Sequence, residues 1–88
     1  MKASEAIRKG MKHPKFKYQC KGKRCDGNGG YCALGVMGLG VNGDPENTLG
    51  ITITFETRRH NWFSVVEAND GWRWSLNRIA DTLERHGL

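Results

Sequence analysis

Acidic residues are almost missing from the first part of this chain: up to Cys25 there is one, Glu5, against nine lysines and arginines. That segment carries a formal +8, so the remainder carries −3 and the whole +5. An electropositive end of this kind attracts nucleic acid, nucleotides or an acidic protein surface, or serves as a solvated, solubilising face. Long apolar runs are missing too. None approaches the roughly 18 residues of a membrane span, so no transmembrane helix and no membrane partner are expected. Met1-Lys2-Ala3-Ser4-Glu5 lacks the apolar segment of a signal peptide. The expected compartment is therefore the cytosol, with the three cysteines as thiols or ligands. There is no internal repeat, low-complexity tract or interdomain linker, and 88 residues leave room for a single domain, 1–88, with one modest core.

What the chain does have is one uncharged apolar stretch from Gly29 to Leu39. Asp26-Gly27-Asn28-Gly29-Gly30, just before its apolar part, tolerates positive φ at nearly every position and reads as a turn. A regular element then begins at about Tyr31. Cys32, Ala33, Leu34, Val36, Met37 and Leu39 recur too densely for a one-faced strand. Gly35 and Gly38, three apart, would lie on one side of a helix and admit another backbone. The reading is a short buried helix, with a buried strand as the alternative.

Around that centre, Ala3, Ala6 and Ile7 have helical spacing and Gly10 suits a C′ position, predicting a helix over 3–9. After His13-Pro14, Phe16, Tyr18 and Cys20 alternate with Lys15, Lys17, Gln19 and Lys21, the pattern of a strand with one buried and one cationic face. Lys21-Gly22-Lys23-Arg24 would turn it into a short return strand reaching Cys25. Gly40 to Gly50 reads as a surface loop and the segment expected to be most mobile. Ile51, Ile53 and Phe55 against Thr52, Thr54 and Glu56 predict a strand, followed by a turn at Arg58-Arg59-His60-Asn61. Trp62 to Ala68 fits either a second strand or a helical turn. Ser75 as N-cap, Leu76, Ile79, Ala80 and Leu83 as an apolar stripe, Arg85 and His86 in the last turn and Gly87 as terminator predict the closing helix. The resulting fold class is α+β: a small antiparallel sheet from residues near 15–25 and 50–66, packed against the central apolar helix and the C-terminal amphipathic helix.

Several residue groups carry chemistry. Cys32 follows a glycine turn at a helix N-terminus, and with His60 and Asn69 or Asp70 would make a nucleophile site; the reading adopted is a packed core thiol. Cys20, Cys25 and Cys32 with His13 or His60 supply donors for tetrahedral zinc, but only the first pair has suitable spacing, and no metal or other cofactor is expected. A Cys20–Cys25 bridge is geometrically allowed and disfavoured in the cytosol. Asn69-Asp70 is read first as a turn and helix-lead device acting through side-chain to backbone hydrogen bonds. Trp72-Arg73-Trp74, if extended, puts both indoles on one side and Arg73 on the other. One tryptophan is expected in the core and the other at a binding surface.

Gly30-Tyr31-Cys32-Ala33-Leu34-Gly35-Val36-Met37, Asn69-Asp70-Gly71 and Ser75-Leu76-Asn77-Arg78-Ile79-Ala80-Asp81-Thr82-Leu83-Glu84 together resemble a group of small uncharacterised phage and prophage proteins. The shared pattern is a Cys-x-Leu-Gly-Val core, a later Asn-Asp and a closing Ser-x-x-x-Ile-Ala-Asp-x-x-Glu helix. An opening helix leading to a strand like Phe16-Lys17-Tyr18-Gln19 is also similar. Cys20, Cys25 and Trp72-Arg73-Trp74 depart from the pattern. The resemblance implies phage origin and no particular activity.

The leading functional expectation is a small, non-enzymatic phage accessory protein that binds and blocks or modulates a host macromolecule, as an anti-CRISPR-like counter-defence inhibitor does. The partner would be a host protein or protein–nucleic acid complex. Its contact surface is expected to comprise Lys15, Lys17, Lys21, Lys23, Arg24, Arg58, Arg59, Trp72, Arg73 and Trp74. The first alternative is a nucleic-acid or small-nucleotide binding module using the same basic and aromatic groups; the second is a cysteine-dependent enzyme.

Overall fold

Helix α1, Ala3–Met11, begins the chain and buries Ala3, Ala6, Ile7 and Gly10 on one stripe. The structure, a computed structural model, describes residues 1–57 and 61–88. Gly10 therefore does not end the first helix as its sequence position suggested. It lies within α1 because a Cβ there would stand 2.0 Å from the Val36 carbonyl oxygen, and its missing side chain admits the neighbouring helix.

That neighbour is α2, Ala33–Asn42, the central helix, in which every residue from Ala33 to Leu39 is buried. A helix apolar on all sides must be surrounded, and it is. Gly40 faces α1, where a Cβ would meet the Ala6 carbonyl oxygen at 2.4 Å. The expected loop from Gly40 is thus corrected: the helix runs on to Asn42, and Gly43 (φ 66°) caps it in the left-handed conformation. Gly35 and Gly38 do admit backbone. A Cβ on Gly35 would lie 1.9 Å from the Arg24 carbonyl oxygen, and one on Gly38 would lie 2.3 Å from that of Asp44.

The segment before α2 differs most from expectation. β1, Tyr18–Gln19, pairs in parallel with β2, Gly30–Tyr31, rather than antiparallel with a return strand to Cys25. Asp26 explains the difference. Its carboxylate accepts the N–H groups of Asn28 (2.8 Å) and Gly30 (2.9 Å), closing the glycine turn and laying Gly30 beside Tyr18. The backbone at 22–24 is meanwhile engaged elsewhere: Gly22 N–H donates to Asp70, and the Lys23 carbonyl accepts from Cys32 N–H at 3.2 Å. The facing of β1 is also corrected. Tyr18 is exposed and donates its hydroxyl to Asp26, whereas Gln19 is half-buried with its amide directed at Asn69 and the Trp74 carbonyl.

β3, Thr54–Glu56, and β4, Trp62–Ser64, form the antiparallel pair, with Phe55 opposite Phe63. The alternation from Ile51 to Phe55 holds in burial, although the regular ladder covers only its end. Both readings of 62–68 apply in turn. After β4 the chain coils into a π-helical turn, Glu67–Gly71, which buries Ala68 and Asn69.

α3, Leu76–Arg85, follows its pattern closely: Ser75 Oγ accepts Arg78 N–H at 3.1 Å, and Gly87 (φ 77°) ends the helix. It buries Leu76, Ile79, Ala80 and Leu83. Arg8 of α1 reaches Asp81 (2.6 Å) and Glu84 (3.1 Å), and Ser4 N–H at the start of α1 donates to the carbonyl of Leu88 (3.1 Å). Among the described residues, three α-helices, the π-helical turn and two small strand pairs thus enclose one core, an α+β fold.

Candidate functional site

Asn69 is a shared wall of the recesses lined by Lys21, Lys23, Arg24, Arg73 and Trp74. It is 1% exposed, and all its amide capacity is used. Its Oδ1 accepts from Gln19 Nε2 (2.7 Å) and from Ala33 N–H (3.1 Å), the latter at the first turn of α2. Its Nδ2 donates to the Cys20 carbonyl (3.0 Å) and to Asp70 Oδ1 (2.7 Å). Asp70 then accepts Gly22 N–H at 3.0 Å. The Asn-Asp pair does act through side-chain to backbone bonds, but across the fold rather than in its own turn. It fixes the loop 20–22 against the start of α2.

Two pockets of about 170 Å³ share Asn69 as a wall. One is lined by Lys23, Arg24, Cys32, Val66 and Asp70 among others, the second by Gln19, Cys20, Lys21, Arg73 and Trp74. Lys21 is thereby brought to Arg73 and Trp74, and Lys23 and Arg24 lie in the adjoining recess. Arg24 is partly committed, since it donates to the Glu46 carbonyl at 2.9 Å with the Glu46 carboxylate 4.0 Å away. Lys15 and Lys17 are exposed but line neither pocket, and the Lys17 stem lies over Gly29. Arg58, Arg59 and His60 lie outside the described residues.

The tryptophans meet by a route other than the one expected. Trp72 is in the right-handed helical region and Arg73 has φ 57°, so the segment is not extended. The indoles are nevertheless adjacent, with ring centroids 5.2 Å apart. Trp74 is half-buried over Phe55 (6.4 Å), and the Arg78 guanidinium sits 4.1 Å from its ring centre. Trp72 is 41% exposed and packs edge-on against Phe63 at 4.3 Å. Trp62, on β4, is 64% exposed. One tryptophan seats against the core and another faces outward, as the size of the domain requires. The left-handed backbone of Arg73 is the only positive φ outside glycine among the described residues. A residue with a Cβ held there costs on the order of 1 kcal/mol, so the surrounding contacts dictate it.

The cysteines fit the structural reading. Cys32 is buried as the residue preceding α2, Cys20 half-buried and Cys25 exposed, all free thiols. Burial, with nearby Cys32 adding to it, pushes the Cys20 thiol above its ordinary value, and its S–H donates to the Lys23 carbonyl at 3.1 Å. Among the described residues no three His, Cys, Asp or Glu side chains converge to hold a metal, and the zinc reading gains no ligand set. The Asn69 of the nucleophile reading is occupied by its four hydrogen bonds. Among the described residues no helix is long and apolar enough to cross a membrane.

Sequence reasoning passed over Gln19, Phe63 and Arg78. The first is betrayed only by being an amide in an otherwise lysine-lined alternation, and the second by nothing local. Arg78, four residues after Trp74, had a usable signal in that spacing. No family model, curated protein or solved structure matches this chain.

Proposed function

We propose that this chain is a small, non-enzymatic binding protein that docks on a host macromolecule and blocks or modulates it, in the manner of a phage counter-defence inhibitor. The observation that carries the reading is the face built around Trp72. An exposed indole is braced by Phe63 and Trp74, next to a strained Arg73 and the cation Lys21. Aromatic rings flanked by guanidinium and ammonium groups are the composition of interface hot spots, and holding them rigid lowers the ordering cost of association. The basic half of the chain supplies long-range attraction to an acidic partner. The resemblance to small phage proteins supports the biological setting, and Lys23 and Arg24 add positive charge in the adjoining recess.

The test is biological. The chain is expressed in bacterial strains whose defence systems restrict a test phage, and plating efficiency is measured beside Trp72→Ala and Arg73→Glu variants. Relief of restriction by the parent chain in at least one strain, lost in both folded variants, supports the reading. Relief that survives both substitutions removes this face from the function.

A second reading, nucleic-acid binding by the same face, rests on the excess of cations. It differs in predicting affinity that falls steeply with salt.

A further inference from the structure

The outer face of α3 holds a second cationic–aromatic site, separate from the Trp72 face except at Trp74. A groove of about 390 Å³ opens between β3 and α3, lined among the described residues by Phe55, Trp74, Arg78, Thr82, Arg85 and His86, with Thr57 at its edge. That volume falls within the range of about 300–1,000 Å³ typical of small-ligand pockets. Its floor is aromatic. Phe55 is stacked on Trp74 at 6.4 Å and lies 5.9 Å from the His86 ring.

The cations are positioned in advance. Arg78 rests on the Trp74 ring at 4.1 Å. The Arg85 guanidinium donates to Thr82 Oγ1 at 3.2 Å, and that hydroxyl donates to the Arg78 carbonyl at 2.8 Å. Neither arginine has a carboxylate within ion-pair distance among the described residues; the acids of α3, Asp81 and Glu84, are paired instead with Arg8. Two guanidiniums held by an indole and a hydroxyl, with the neighbouring carboxylates Asp81 and Glu84 turned to Arg8, are arranged for an anion from solution. Seven residues apart on one helix, they are about 10 Å apart along its axis and share a face. Guanidinium forks match phosphate oxygens, and an aromatic floor matches a planar base.

We propose that this groove binds a nucleoside phosphate, its phosphate between Arg78 and Arg85 and its base against the Trp74 and His86 rings, which the buried Phe55 supports from beneath. The ligand is either a free mononucleotide or the phosphorylated end of a strand, and the two share this chemistry.

Isothermal titration calorimetry with AMP, adenosine, inorganic phosphate and a short oligothymidylate bearing a terminal phosphate tests the proposal. Saturable binding of AMP is expected, with adenosine and phosphate each at least about tenfold weaker, a difference of about 1.4 kcal/mol. Arg78→Gln and Arg85→Gln, both exposed positions, should each weaken it by about tenfold or more, while Lys12→Gln, at an exposed cation outside the groove, leaves it unchanged. Saturation by the oligonucleotide alone, with the same loss in both arginine variants, identifies a strand end as the ligand. Absence of saturable binding to both AMP and the oligonucleotide overturns the proposal. So does equal affinity in arginine variants whose circular dichroism shows them folded. Because Arg78 and Arg85 line neither pocket beside Asn69, and Trp72 lines no part of this groove, failure here leaves the docking reading standing, and failure of docking leaves this site standing.

Discussion

Replacing Asn69 with alanine removes four hydrogen bonds at once, but their losses are unequal. Gln19 Nε2 keeps the Trp74 carbonyl (2.9 Å), and Asp70 Oδ1 keeps Gly22 N–H (3.0 Å). Ala33 N–H and the Cys20 carbonyl lose the partners that Asn69 gave them. A buried backbone group left unsatisfied costs about 1–3 kcal/mol, so two such groups cost about 2–6 kcal/mol. A chain of this length has about 4–13 kcal/mol of stability in total. Asn69→Ala should therefore lose on the order of 4 kcal/mol and shift the thermal midpoint by roughly 15–30 °C. Urea unfolding followed by tryptophan fluorescence and analysed by linear extrapolation measures the loss. Asn69→Asp provides the internal control. It keeps both acceptor contacts but puts a second carboxylate beside Asp70, so its stability should recover partly on mild acidification. A loss below about 1 kcal/mol for the alanine variant would refute the claim that Asn69 ties these three segments together.

Four further substitutions test single features of the fold. Gly35→Ala, whose Cβ would stand 1.9 Å from the Arg24 carbonyl, should cost about 3 kcal/mol or prevent folding. Gly71→Ala, with nothing within 4 Å, should change stability by less than about 1 kcal/mol, and the same urea titration compares them. Arg73→Gly should stabilise by about 1 kcal/mol by relieving the left-handed backbone, while weakening partner binding; a drop in the unfolding midpoint would contradict this. The Tyr18 hydroxyl, with the N–H groups of Asn28 and Gly30, holds the Asp26 carboxyl below the usual carboxylate range. A folded pKa below the unfolded one contributes stability that is present above the unfolded value and disappears as pH falls through the folded one. Asp26→Asn should thus flatten the acid limb of the stability curve as pH falls through and below the ordinary carboxylate range, and an unchanged limb would show that another carboxylate governs it. The same bond raises the Tyr18 pKa, so its contribution persists through neutral pH and is lost only when the hydroxyl ionises in strong alkali.

The parts of this fold that sequence reveals are those set by local chemistry. α3 was legible from cap to terminator because Ser75, the 76–79–80–83 stripe and Gly87 all act within a few residues of one another. α2 was legible as a helix, yet its end was not. Gly40 looks like a breaker, but it serves as a contact with α1, a role assigned by a residue 34 positions earlier, Ala6. Gly10 misled for the same reason. The parallel pairing of β1 with β2 depends on the Asp26 turn, and no alternation pattern encodes a strand's partner. Asn69 looked like a turn residue; its partners lie 50, 49 and 36 positions away, beyond any local rule. Trp72-Arg73-Trp74 reads as extended in sequence, but the backbone is not, because a left-handed Arg73 is imposed by packing. The basic residues were counted as one surface. In the fold Lys21 lines a pocket with Arg73 and Trp74, Lys23 and Arg24 line the adjoining one, and Lys15 and Lys17 fall outside both.

The most direct measurement of whether this chain is a binding protein is native mass spectrometry on material purified gently from a bacterial host, with Trp72→Ala purified in parallel. A defined host macromolecule adding its mass to the parent chain, and missing from the folded variant, is the expected result. The same adduct on both proteins, or a bare chain in every host that shows the biological effect, would contradict docking through the Trp72 face.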